Sequence, residues 1–217
     1  MSEVPHLAPA PLPLPVEHLL VPRPDGGVVE TVVERPAGRP RGLALIAHPH
    51  PLHGGSLDNK VVYMLARSAL ACGLIAVRPN FRGVGQSSGE YDHGVGEAED
   101  LLAVAAFVSA HHPALSWSLL GFSFGAYVQH RIAGRLPAER LILVGPAVSM
   151  YAFEPPAVPT EIVHGEADEL IPLAIVADYA GLHRIPLHVI AGAGHFFHGR
   201  LIELREVVRD RLCPPSN

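Results

Sequence analysis

Short apolar runs alternate along the chain with stretches in which apolar residues recur every three or four positions. Gly42–Ala47, Leu74–Val77, Trp117–Leu120, Leu141–Val144, Glu161–Val163 and Leu187–Ile190 read as strands, and segments 57–72, 97–110, 124–135, 173–182 and 199–212 read as helices. The strands are apolar throughout rather than at every second residue, so both of their faces must be covered. That pattern predicts a three-layer α/β architecture, a mainly parallel sheet with helices on both faces. Ahead of these runs, Glu17–Val21 and Val28–Glu34 read as two strands joined by Pro24-Asp25-Gly26-Gly27, a turn sequence, and so predict a hairpin at a sheet edge. Ligand sites in open α/β sheets gather at the carboxyl ends of the strands. The residues directly after each apolar run are therefore the ones placed to carry chemistry.

After Trp117–Leu120 comes Gly121-Phe122-Ser123-Phe124-Gly125, followed by a helix-compatible segment. The G-x-S-x-G spacing suits a nucleophile on a sharp strand-to-helix turn, where chain crowding excludes side chains two residues to either side. A serine there faces a helix N-terminus, whose free N–H groups favour developing negative charge. Serine is a weak nucleophile at neutral pH and needs a base and an orienting acid. The run ending at Val163 leads into His164-Gly165-Glu166-Ala167-Asp168, and the run ending at Ile190 leads into Gly192-Ala193-Gly194-His195-Phe196. Ser123, Asp168 and His195 thus follow the order Ser…Asp…His. Glu166 and Glu169 compete with Asp168 for the orienting role, and His198 is the alternative base.

These residues carry a resemblance. His164-Gly165-Glu166-Ala167-Asp168-Glu169-Leu170-Ile171-Pro172 looks like the acid loop of the α/β-hydrolase superfamily, and Gly192-Ala193-Gly194-His195-Phe196 looks like its histidine loop; the likeness spans about residues 42–212. Asn80-Phe81-Arg82-Gly83-Val84-Gly85-Gln86-Ser87 resembles the superfamily's R-G-x-G-x-S loop, usually a scaffold element. His48-Pro49-His50-Pro51-Leu52-His53-Gly54-Gly55 is similar to the HPHP-type loop of small bacterial hydrolases of this superfamily. The resemblance implies a small lidless bacterial serine hydrolase. It also implies an oxyanion hole from the N–H after the nucleophile, Phe124, and one N–H from the loop after an early strand. Pro49 and Pro51 have no N–H, so by subtraction and by resemblance that donor is His50, with His48 bracing the loop. Superfamily lids are commonly inserted between the runs ending at Val144 and beginning at Glu161. Here that stretch is short and holds Pro146, Pro155, Pro156 and Pro159, which predicts an open site without a lid domain.

The implied activity is cleavage of an ester or related acyl bond of a small soluble substrate, a carboxylic ester by base rate. A thioesterase, an amidase or a non-catalytic binding protein on the same fold are the alternatives. No cofactor is implied. His48-x-His50-x-x-His53 approaches a metallo-hydrolase spacing, but Leu52 stands where the carboxylate ligand belongs and two prolines stiffen the segment. Gly83, Gly85 and Gly89 have the wrong spacing for a dinucleotide fingerprint.

Composition narrows partners and place. A chain of 217 residues fits one domain, expected over 16–217, and its formal charge of −5 offers nothing to a nucleic acid. No apolar run is long enough to span a membrane. Residues 1–15 carry prolines at 5, 9, 11, 13 and 15, which predict a flexible arm and no signal-peptide helix, and so a cytoplasmic location. The two cysteines, Cys72 and Cys213, are far apart in sequence; Cys72 on an apolar helix face reads as an unpaired, buried small hydrophobe in a reducing compartment. Oligomeric state is not readable.

Overall fold

Every apolar run becomes a strand of one eight-stranded sheet in the computed structural model, which describes residues 16–213. The stretch expected to be a proline-rich arm, 1–15, lies outside the described residues. Strands β1 (Val16–Pro22) and β2 (Val28–Glu34) form the expected antiparallel hairpin at one edge, and β2 pairs antiparallel with β4 (Leu74–Pro79). From β4 the sheet continues in parallel through β3 (Gly42–Ala47), β5 (Trp117–Phe122), β6 (Ala138–Val144), β7 (Thr160–Gly165) and β8 (Leu187–Ile190). The spatial order is therefore β1-β2-β4-β3-β5-β6-β7-β8.

Among the described residues five α-helices cover the two faces: α1 (Lys60–Ala71), α2 (Val95–His111), α3 (Phe124–Ile132), α4 (Leu173–His183) and α5 (Leu201–Leu212). Successive residues of a strand point to opposite faces, and β3 shows the consequence. Leu43, Leu45 and Ala47 join the cluster containing α2, α3 and α4 residues such as Leu101, Val128 and Val176. Ala44 and Ile46 join Leu65 of α1 and Leu204 and Val208 of α5 on the other face. All residues of β3 and β5 are buried, as continuous apolar runs require. Helix starts are held locally. Asn59 Oδ1 accepts from Val61 N–H at the head of α1, and the buried Glu97 carboxylate reaches back to accept from Gly94 N–H (2.7 Å) at the head of α2.

One expectation is corrected. Cys72 is buried, but it is not unpaired: α5 packs along α1 and brings Cys213 to it as a disulfide, with Cα atoms 5.6 Å apart across a sequence separation of 141. Distance along the chain says nothing about distance between packed helices. The cysteine argument for a reducing compartment falls with it, since disulfides persist mainly where thiols stay oxidised. Among the described residues no helix is long and apolar enough to cross a membrane. Residues 145–159, between β6 and β7, form turns, bends and irregular chain with no helix, so among the described residues no lid domain is inserted there over the carboxyl ends of the strands.

Candidate active site

Three loops at those carboxyl ends converge on one hydrogen-bonded chain. Ser123 sits between β5 and α3 with φ 56° and ψ −116°, a conformation that costs a side-chain-bearing residue on the order of 1–3 kcal/mol and persists only where the surroundings enforce it. The surroundings here are tight. A Cβ on Gly121 would stand 2.3 Å from the Gly125 carbonyl oxygen, and one on Gly125 would stand 2.4 Å from that of Ala47. Both glycines are therefore required for α3 to begin against the ends of β3 and β5.

His195 follows β8, is buried, and lies 3.0 Å through Nε2 from Ser123 Oγ and 2.7 Å through Nδ1 from Asp168 Oδ2. Asp168 follows β7. Its Oδ1 accepts from Leu170 N–H (3.0 Å) and Ile171 N–H (2.8 Å), which turns Oδ2 toward the imidazole. Burial alone would push this carboxyl up, but the His195 hydrogen bond, the Ile171 N–H and the adjacent His195 and His164 together hold it below the ordinary aspartate range. An ionised Asp168 fixes the imidazole proton on Nδ1 and leaves Nε2 free to accept from the serine hydroxyl. The rings of Phe122 and Phe196, each 5.1 Å from the imidazole, limit its rotation. The competing groups lie elsewhere: Glu166 accepts from Gly192 N–H, Glu169 is exposed beside Gly194, and His198 is exposed against Phe196.

The loop after β3 closes the other side. His48 is fully buried and bridges two loops, donating from Nδ1 to the Pro49 carbonyl (2.7 Å) and accepting at Nε2 from Phe81 N–H (2.9 Å). Burial holds it neutral, with a pKa of about 4 despite the Pro49 carbonyl. His50 accepts from Leu52 N–H at Nδ1, and its ring packs against Tyr91 and Phe124. Among the described residues no acceptor engages the backbone N–H of either His50 or Phe124. Gly55 lets the loop fold back, because a Cβ there would meet the Pro49 carbonyl. With both nitrogens of His48 engaged inside the protein, His48, His50 and His53 do not present a ligand trio, and among the described residues no group of three or more such side chains could hold a metal ion.

The loop 80–87 is fastened on its own account. Asn80 Oδ1 accepts from Leu57 N–H, Ser87 Oγ donates to the Asn80 carbonyl, and Arg82 grips Asp100 with two bonds of 2.8 Å. It supports the histidine loop through Phe81 rather than reaching Ser123.

A cavity of about 360 Å³ opens over Ser123, lined also by His50, His53, Asn59, Met150, Tyr151, Leu170, Ile171 and Phe196. None of the described residues lining it is Asp, Glu, Lys or Arg. The Tyr151 phenol is held protonated, its pKa raised chiefly by burial. Asn59, Met150 and Tyr151 lie in no motif, Leu170 and Ile171 are unspecified positions of the acid loop, and only the fold brings the five together. His164 is a further residue that sequence reasoning left unassigned: its Nε2 donates to the Ile171 carbonyl (2.9 Å) and lies 3.5 Å from Asp168 Oδ2, inside the acid loop. Its place four residues before Asp168 is the signal that could have found it.

Comparison with known proteins gives a consistent picture. No protein-family model matches the chain. A solved α/β serine hydrolase homologue from Coxiella burnetii is 43% identical, covers 91% of this chain and 97% of its own, and superposes with a TM-score of 0.86. An α/β serine hydrolase without a lid from Xanthomonas campestris is 36% identical, with 95% and 98% covered and a TM-score of 0.86. An uncharacterised protein of Rickettsia prowazekii is 35% identical over 185 residues, 78% of each chain.

Proposed function

The chain belongs to the α/β serine hydrolases, among the members without a lid, and on that premise we propose that it cleaves a carboxylic ester of a small, uncharged substrate with Ser123 as nucleophile. The observation that carries this reading is the unbroken hydrogen-bond chain from Asp168 through His195 to Ser123. His195 Nε2 takes the serine proton as Oγ bonds to the acyl carbon, and the negative charge that moves onto the carbonyl oxygen is held by the N–H groups of Phe124 and His50. Collapse breaks the bond to the alcohol oxygen, which leaves with the proton from His195. Water, deprotonated by the same nitrogen, then releases the acid and restores Ser123. Asp168 stabilises the imidazolium in both halves. The lack of Asp, Glu, Lys and Arg in the cavity lining supports a neutral substrate, since a charged one would lose its hydration there without a partner. We take residues 16–217 as one catalytic domain.

Hydrolysis of p-nitrophenyl acyl esters by the purified protein and by Ser123→Ala tests this. The substitution should lower kcat by at least about 10³-fold. Turnover of the variant at the wild-type rate would remove Ser123 from the mechanism.

A further inference from the structure

The cavity over Ser123 is sorted chemically by loop. Pro49, His50, His53, Gly54, Gly55 and Asn59, from the segment after β3, give it one wall rich in imidazole, amide and backbone groups. The loops after β6, β7 and β8 give a second, mostly apolar wall of the lining: Ala147, Met150, Tyr151, Leu170, Ile171 and Phe196. That wall grades outward. Ala147 and Ile171 are 2% and 1% exposed, whereas Phe196, Leu170 and Met150 are 40%, 49% and 63% exposed. The one hydroxyl on it is that of Tyr151, a half-buried residue. Apart from that hydroxyl the wall is apolar from beside the reacting serine to the rim, and leaving it in water has a cost that a covering hydrocarbon removes.

We propose that this wall is the acyl-chain subsite and that the substrates are esters of hydrocarbon acyl groups long enough to pass Ile171 and cover Met150 and Leu170, rather than acetyl esters. The inference rests on the serine-hydrolase reading above, because Ser123 sets where the acyl carbon sits. The polar wall suits the alcohol part, which has hydroxyl groups to satisfy and departs into water. The acyl part stays covalently attached through the second half of the reaction and is the part a long apolar wall can hold. Because the mouth is open, the chain is recognised one molecule at a time and not from a lipid surface.

The test uses alkyl fluorophosphonates, in which the Ser123 Oγ–P bond forms as the P–F bond breaks, fluoride leaves and the serine proton passes to His195. Rate constants for labelling by ethyl, butyl, hexyl and octyl reagents, all below their critical micelle concentrations, are measured for the wild type and for Met150→Ser combined with Leu170→Ser. Each methylene that leaves water is worth about fourfold, so octyl should exceed ethyl by at least about thirtyfold, and the double variant should reduce that ratio at least about tenfold. Both side chains are at the surface, so a cooperative thermal transition like the wild type's is expected. Labelling of equal rate at every chain length overturns the subsite. So does an unchanged ratio in the double variant, or a chain-length preference that develops only above the micelle concentration. No labelling at any length is a different failure, which removes the serine nucleophile and the subsite together.

Discussion

At the residue scale, the histidines of the β3 loop have separable duties. In the mechanism proposed above His50 contributes a main-chain N–H, while its imidazole accepts from Leu52 N–H and packs on Tyr91 and Phe124. His50→Ala should therefore keep kcat within about tenfold of the wild type, whereas His50→Pro, which deletes the N–H, should lose the roughly 10²–10³-fold typical of one oxyanion donor. Steady-state kinetics on variants shown to be folded decide it, and a near-dead Ala variant would mean that the imidazole itself takes part. His48 is buried and neutral, with a pKa of about 4 against 6.5 for the ordinary side chain. The unfolded chain therefore binds the extra proton first. Stability from this group is fully present above pH 6.5 and is lost as pH falls toward 4, by roughly 3 kcal/mol. His164, also lowered by burial, acts in the same sense. Urea unfolding at pH 7, 5 and 4 should show a smaller acid loss in His48→Gln than in the wild type; equal losses would contradict the assignment. The sequence singled out Ser123, Asp168 and His195, which the fold joins in one hydrogen-bonded chain, because each follows an apolar run and stands in a distinctive glycine setting. It marked His164 only by its place four residues before Asp168, which does not by itself say that the ring bonds the Ile171 carbonyl.

At the scale of elements, hydrophobic period was enough to locate strands and helices, because strands covered on both faces must be apolar throughout. Gly42–Ala47, Val28–Glu34 and Leu187–Ile190 run as expected, and β5 runs on through Gly121 and Phe122 to Ser123. Strand order was not legible: nothing in the composition of β3 or β4 says that β4 lies between β2 and β3. The Cys72–Cys213 pair escaped for a similar reason, since it depends on α5 lying along α1. Closing so long a loop should stabilise the fold, and Cys213→Ser should lower the free energy of unfolding by about 2–4 kcal/mol. Denaturant unfolding with and without reductant checks this, because reductant should weaken the wild type to the level of the variant and leave the variant unchanged. A wild type indifferent to reductant would mean that the pair carries no stability.

At the scale of the whole molecule, the sheet brings the ends of β3, β5, β6, β7 and β8 to one edge, and function follows from what stands there. Ser123, Asp168 and His195 could be picked out as candidates before folding, but the cavity could not. Its walls come from segments 49–59, 123–124, 147–151, 170–171 and 195–196, and Met150 or Leu170 gains meaning only when that edge is assembled. The absence of a lid was foreseeable from the short, proline-rich stretch at 145–159, and the open mouth over Ser123 follows from it. The central claim is that Ser123 forms the covalent bond to substrate, and mapping the site of covalent modification tests it most directly. After reaction with a fluorophosphonate, proteolysis and mass spectrometry should find one phosphonyl adduct per chain, on Ser123, with ester hydrolysis lost in proportion. An adduct on another residue, or full hydrolytic activity in protein whose Ser123 is completely modified, would contradict the account.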